Sequence, residues 1–169
     1  LGFTYTRSTG PVVGRFLTGL KNRSIAGIKA SDGRVVVPPM EYDPDTAEEL
    51  SEFVEVGQQG EIVSFAWVKE PREAHPMQVP FAWAMIKLDG ADVPMIHCVA
   101  AAKESDIATG ARVQAVWADE TIGFITDIRC FLLEAAQPVH RYRWRNGLMG
   151  SHDGLVPGGK QITAVLRMD

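Results

Sequence analysis

The chain has little sulfur, no long apolar run and no excess of positive charge. Only two cysteines, Cys98 and Cys130, occur among 169 residues. That excludes a disulfide-stapled scaffold and a four-thiolate metal site. Both lie in apolar, strand-like runs, where a free thiol behaves as a small core hydrophobe. No stretch approaches the ~20 apolar residues of a membrane-spanning helix, so no membrane partner is expected. The first residues, Leu1-Gly-Phe-Thr-Tyr-Thr-Arg7, lack a basic segment followed by an apolar one. A secretory signal is therefore not expected, and a reducing, cytoplasmic setting is. The net charge is −4, with both signs interspersed. A phosphate backbone is thus a poor candidate for the main partner. G-x-S-x-G, H-E-x-x-H and a phosphate-binding glycine loop are all missing. What is present is a hydrophobic content of 46%, enough for a real core.

Val12, Val13, Phe16, Leu17 and Leu20 fall on one face of a helix that opens near Pro11 and weakens at Gly19. Two short strands, 24–29 and 34–37, are joined by Ser31-Asp32-Gly33, a turn signal. Residues 46–50 can form one helical turn. Phe53-Val-Glu-Val56 leads to a second turn, Gly57-Gln-Gln-Gly60. Strands of useful length follow at 61–69, 81–88, 93–101, 112–118 and 124–133, with a short helical stretch within 102–110. Five strands with a helix between the third and fourth fit a closed Greek-key barrel of the OB type. An immunoglobulin-like sandwich wants about seven strands. Residues 138–169 lie outside this barrel and open with His140-Arg-Tyr-Arg-Trp-Arg145.

The segment 29–46 has the layout of a zinc ribbon without its ligands. Cysteine at Lys29, Asp32, Asp43 and Thr46 would make C-x2-C-x10-C-x2-C, the spacing of two knuckles on a hairpin. Asp32 and Asp43 are acceptable ligands for a hard cation, but Lys29 and Thr46 are poor ones for zinc. A metal-free ribbon is expected, held by packing of Ile25, Ile28, Val35 and Val37.

The pieces occur in a specific order: Asp32-Gly-Arg-Val-Val-Val-Pro-Pro39, Glu52-Phe-Val-Glu-Val56, Gly60-Glu-Ile-Val-Ser-Phe65, Pro80-Phe-Ala-Trp83, Ile86-Lys-Leu-Asp-Gly90 and Thr109-Gly-Ala-Arg-Val113. In this order and spacing, over about residues 16–133, the chain resembles the DUF35 OB-fold family. The resemblance implies a mainly β fold. A five-stranded OB barrel (57–135) would follow an N-terminal helical segment (1–22) and a rubredoxin-like, here zinc-less, ribbon hairpin (23–56). A C-terminal extension (136–169) would complete the chain. It also implies a non-catalytic subunit that docks on a thiolase or a thiolase-like aldolase acting on acyl-CoA thioesters, such as a steroid side-chain retro-aldolase. No cofactor of its own is expected, and a coenzyme A thioester enters only as a ligand shared with that partner.

Candidate site residues follow. Lys69, Arg72 and His75, in the loop between the first two barrel strands, are cations suited to the phosphates of coenzyme A. Phe81 and Trp83 are placed beside them as acyl-CoA or partner contacts. The barrel aromatics Phe65, Trp67, Phe81, Trp83, Trp117 and Phe131 suit core packing inside the barrel better than base stacking. The alternative of a single-strand nucleic-acid module lacks a basic stripe, since Lys69, Lys87, Arg112 and Arg129 are scattered. His97 and Cys98 are sequence neighbours on a strand, so opposite faces and no nucleophile pair are expected. Phe16, Leu17 and Leu20 on the helix, with Arg141 and Arg143 in the tail, are the candidates for docking the partner.

Overall fold

A computed structural model describes residues 9–134, together with the backbone of a hairpin at 152–155 and 161–164. The order is α1 (Pro11–Lys21), β1 (Ile25–Lys29), β2 (Val35–Val36), β3 (Phe53–Val56), β4 (Gln59–Val68), β5 (Phe81–Leu88), β6 (Met95–Ala100), β7 (Arg112–Trp117) and β8 (Ile128–Leu133). The hairpin strands are β9 (His152–Leu155) and β10 (Gln161–Ala164), paired antiparallel.

Pro11 sits at the start of α1, where its missing N–H costs nothing. The free amides of that first turn are capped from a distance. Glu41 accepts from Val12 N–H at 3.1 Å and from Val13 N–H at 3.2 Å, so a carboxylate meets the positive end of the helix. Gly19 does not end the helix, which runs on to Lys21. It stops at Arg23, whose φ of 56° is left-handed. The site carries an arginine because the side chain anchors the corner: its guanidinium donates to the carbonyls of Ala118 and Asp119 at 3.3 and 3.2 Å.

The ribbon is a three-stranded antiparallel sheet in the order β2-β1-β3. Gly33, with φ 87°, makes its first turn, and Ala30 N–H closes it onto Arg34 O at 2.8 Å. Residues 46–50 form no helical turn. The chain there is extended enough for an isolated bridge between Tyr42 and Glu49, because Ala47 is left-handed with φ 60° and the Asp43 amide donates across to Glu48 O at 2.9 Å.

The barrel closes in the order β4-β5-β6-β8-β7, with β7 returning to β4. All pairs are antiparallel except β6–β8. The short helical stretch is a single 3-10 turn at Glu104–Asp106. β8 starts four residues later than its apolar run suggests, because Ile125–Asp127 forms another 3-10 turn.

Helix, ribbon and barrel share one core. Phe16 and Leu20 of α1, with Ile25, Val37 and Val56 of the ribbon, pack into the same cluster as Ile62, Ile86, Val99, Val113 and Phe131 of the barrel. Ile28 anchors a smaller cluster with Val12, Val36 and Leu50. Val35 N–H donates to Asp92 at 2.8 Å and Val35 O accepts from Asp92 N–H at 2.9 Å, which ties the ribbon to the β5–β6 turn. The segments 1–22, 23–56 and 57–135 are therefore contiguous in space wherever they are described.

A second cluster lies on the outer side of the barrel wall. β5 alternates: Ala82, Ala84, Ile86 and Leu88 face inward, while Phe81 faces out with Met77, Cys98, Ala100 and Cys130. Met77, from the β4–β5 loop, is fully buried there. Phe81 and Trp83 thus do not fill the barrel interior, as their size suggested. Phe131 and Ile86 fill it, and the small alanines of β5 leave them room.

Candidate functional site

Each of the four ribbon positions has a protein partner in place of a metal. Lys29 pairs with Glu52 at 3.1 Å. Asp32 pairs with Arg34, accepting from its backbone N–H at 2.9 Å and from its guanidinium. The bond from the Arg34 amide, then the guanidinium, lowers the Asp32 carboxyl below its ordinary value. Thr46 Oγ1 lies 3.4 Å from Ser31 Oγ.

Asp43 does the joining. Its carboxylate accepts from Ser31 N–H at 2.8 Å, Asp45 N–H at 2.9 Å and Thr46 N–H at 3.0 Å. Ser31 belongs to the first knuckle, Asp45 and Thr46 to the second. One buried carboxylate thus clasps the two turns that a zinc ion would bridge. These amide bonds, first among them that from Ser31, hold the Asp43 pKa well below the usual carboxylate range. Among the described residues, no three or more His, Cys, Asp or Glu side chains are grouped to hold a metal.

The β4–β5 loop is folded by its own contacts. Arg72 N–H donates to His75 Nδ1 at 3.1 Å, which leaves the proton of a neutral ring on Nε2. His75 stands edge-on to Phe81, ring centres 5.6 Å apart, and Phe81 stands edge-on to Trp83 at 5.4 Å. Lys69 and Arg72 are exposed, while His75 and Trp83 are half-buried. Phe81 is fully buried, so it supports this loop from beneath and has no surface for a ligand. Phe65, Trp67 and Trp117 pack partly buried against the barrel core, and Trp117 Nε1 donates to Gln58 Oε1 at 2.8 Å.

His97 and Cys98 are closer than strand alternation suggests, with Sγ and Nδ1 3.6 Å apart. The side chains diverge, but the backbone pleat leaves the first atoms beyond Cβ within reach of each other. Burial then decides their chemistry. It pushes the Cys98 thiol up to about 12 and the His97 imidazole down. The neutral forms of both are favoured, so the thiolate of a Cys–His pair is not generated. Cys130, fully enclosed, is raised further by burial.

Phe16 and Leu20, at 3% and 0% exposure, are core residues. They hold α1 on its own barrel and offer no docking surface, whereas Leu17 is half-buried. Arg141 and Arg143 lie outside the described residues. Among the described residues, the large apolar side chains that do meet solvent are elsewhere: Ile122, Phe124 and Ile125 in the β7–β8 loop, Ile96 on β6, Val63 on β4 and Tyr42 in the ribbon. Sequence reading placed Phe124 and Ile125 in a strand. The signal that marks them is Asp127. Its carboxylate accepts from the amides of Ile122, Gly123 and Phe124 at 3.1, 2.7 and 3.2 Å and so folds the preceding residues into a turn.

Comparison with known proteins places this architecture. Residues 53–118 match the OB_ChsH2_C family, described as ChsH2, C-terminal OB-fold domain. No curated protein matches the chain. Two solved structures share the fold. One is a DUF35-family protein of unknown function from Sulfolobus solfataricus, 23% identical, with 64% of this chain and 79% of that chain covered and a TM-score of 0.52. The other is described as Ltp2-ChsH2(DUF35) aldolase, 16% identical, with 76% of this chain and 98% of that chain covered and a TM-score of 0.54. Residues 53–118 are thus similar to the ChsH2 C-terminal OB-fold domain family, and the chain shares the fold of two DUF35-family structures.

Proposed function

We propose that this protein is a non-catalytic accessory subunit of a thiolase-like enzyme acting on acyl-CoA thioesters, either a thiolase or a steroid side-chain retro-aldolase. The observation that carries this reading is architectural. Helix, ribbon and OB barrel are fused through one core, and nearly the whole of the DUF35 chain in an aldolase complex follows the same path. The chemistry would then reside in the partner, and this chain would stabilise it and shape its acyl-CoA site. The neutral, enclosed Cys98 and His97 agree with a scaffold role. Lys69 and Arg72, exposed on the rim of the β4–β5 loop, with His75 beside them, are the groups we assign to the coenzyme A phosphates. A cytoplasmic complex without a cofactor of its own belongs to the same proposal.

The test is a pull-down of the tagged full chain from its native extract, with mass spectrometry of what is retained. A stoichiometric thiolase-fold enzyme is the expected result. Recovery of the chain without such an enzyme would refute the accessory role.

A further inference from the structure

We propose that Cys98 and Cys130 form a latent cross-strand disulfide, closed by hydrogen peroxide, that locks the parallel seam of the barrel beneath the β4–β5 loop. The inference stands apart from the accessory role. β6 and β8 run parallel, with Val99 opposite Phe131 and Ala100 opposite Leu132. One residue earlier on each strand, Cys98 and Cys130 face each other. Both belong to the outer cluster, so alternation turns both side chains to the same face. Cys98 Sγ donates to the Arg129 carbonyl at 3.4 Å, the group bonded to the nitrogen of Cys130. Neighbouring strands lie about 4.8 Å apart, and a disulfide accepts Cα separations of about 4.4–6.8 Å. Closing the bond therefore asks for side-chain rotation and no shift of either strand.

The place of the pair gives the bond its effect. β6–β8 is the one parallel pairing of the barrel, and its ladder is short, whereas β4–β5 is registered from Gly60 to Val68. Parallel pairing is also slightly weaker per residue. A covalent link at the end of this ladder would hold the barrel closed. It would also remove freedom from the unfolded chain between residues 98 and 130.

Burial makes the dithiol latent. Cys98 and Cys130 are each 1% exposed, and Met77, fully buried, packs in the same cluster. Both thiols stay protonated there, so the closed fold is no fast peroxide sensor. Met77 is carried by a loop whose hydrogen bonds are local, between Arg72 and His75 and between His75 and Gln78. Such a segment opens more readily than the barrel strands. When it lifts, water reaches Cys98, and its thiol ionises nearer the ordinary range. The thiolate attacks one peroxide oxygen, the O–O bond breaks and hydroxide leaves, giving a sulfenic acid. Cys130 attacks that sulfur, the S–O bond breaks, and hydroxide departs with the thiol proton as water. The two sulfurs lose two electrons to peroxide, so two thiols and one peroxide become one disulfide and two waters.

The experiment exposes the reduced full-length chain to hydrogen peroxide under native conditions, at a dose that oxidises both thiols of the urea-unfolded chain. Catalase stops the reaction, iodoacetamide in urea blocks remaining thiols, and the intact chain is weighed. The expected product is a monomer lighter by two hydrogens, free of alkyl groups, whose digest holds peptides joined at Cys98 and Cys130. It should melt about 4–16 °C above the reduced chain. Met77→Ala should close at least about tenfold faster, because its cover is loosened. Cys130→Ser should take up oxygen at Cys98, with no rise in melting temperature. Wild-type thiols that remain alkylatable, that gain oxygen without linkage, or that join two chains would overturn the proposal. A linked chain that melts no higher than the reduced one would overturn the lock, and an unchanged rate in Met77→Ala would overturn the loop as its gate.

Discussion

Removing the Asp127 carboxylate should unfold the β7–β8 loop locally and lower global stability, by an amount the geometry bounds. Asp127→Ala deprives the amides of Ile122, Gly123 and Phe124 of an acceptor that is itself 2% exposed. Bonds to a charged group are worth about 1.5–3 kcal/mol each when their loss leaves a donor buried. Here the loop is exposed on its outer side, so freed amides regain water, and the loss per bond falls below that range. Loss of a single helix cap costs about 0.5–2 kcal/mol. Three amides on one carboxylate should together cost about 2–3 kcal/mol. For a chain of this length that corresponds to a fall in Tm of about 4–12 °C. Asp127→Asn keeps one acceptor oxygen and should fall between the variant and wild type. Calorimetry of the full-length proteins measures the first effect, and radical footprinting of Phe124 the accompanying loosening. An Asp127→Ala protein within about 0.5 kcal/mol of wild type would refute the reasoning, since that is the ordinary scatter of surface substitutions.

Asp43 should make the ribbon sensitive to acid and indifferent to chelators. Its folded pKa is depressed, so its contribution is complete above the ordinary carboxylate range near 4 and is lost as pH falls towards the lower folded value. Amide exchange at residues 43–46 should rise in Asp43→Asn and in wild type at low pH, and EDTA should leave it unchanged; protection lost with EDTA at neutral pH would contradict the clasp. Leu20→Ala should destabilise the whole chain by about 2–5 kcal/mol, because the side chain is fully buried in the core shared by helix and barrel. Urea unfolding measures this, and a cost below about 1 kcal/mol would mean that α1 is not part of that core. Cys98 and Cys130 should resist iodoacetamide at pH 8 in the native protein and react fully in urea, since burial raises both thiols well above that pH. Rapid native alkylation would show that the outer cluster opens.

Local periodicity made most elements legible. β5 occupies the whole of its apolar run, and the α1 face of Val12, Phe16 and Leu20 is the buried one. The turn at Gly33 follows from the left-handed backbone that glycine accepts. Legibility failed where a side chain captured backbone amides. Asp127 turned the start of an apparent strand into a 3-10 turn, and Asp43 drew the amides of Asp45 and Thr46 into a plain turn where a helical one was expected at 46–50. It failed again on β5, where both faces are apolar, so the pleat could not say whether Phe81 or Ala82 enters the barrel.

The candidate site divides the same way. Sequence alone determined that no thiolate ribbon exists, that strands and helix follow an OB order, and that cations gather on the β4–β5 loop. These are properties of residue identity, spacing and local conformation. Tertiary structure alone decided that Phe16, Leu20 and Phe81 are covered while Ile122 and Phe124 are not. It also decided that Asp43 reaches Ser31, twelve residues away, to close the ribbon. Burial and long-range acceptor choice depend on what other segments bring to the same place, and neither is encoded in the period of any one segment.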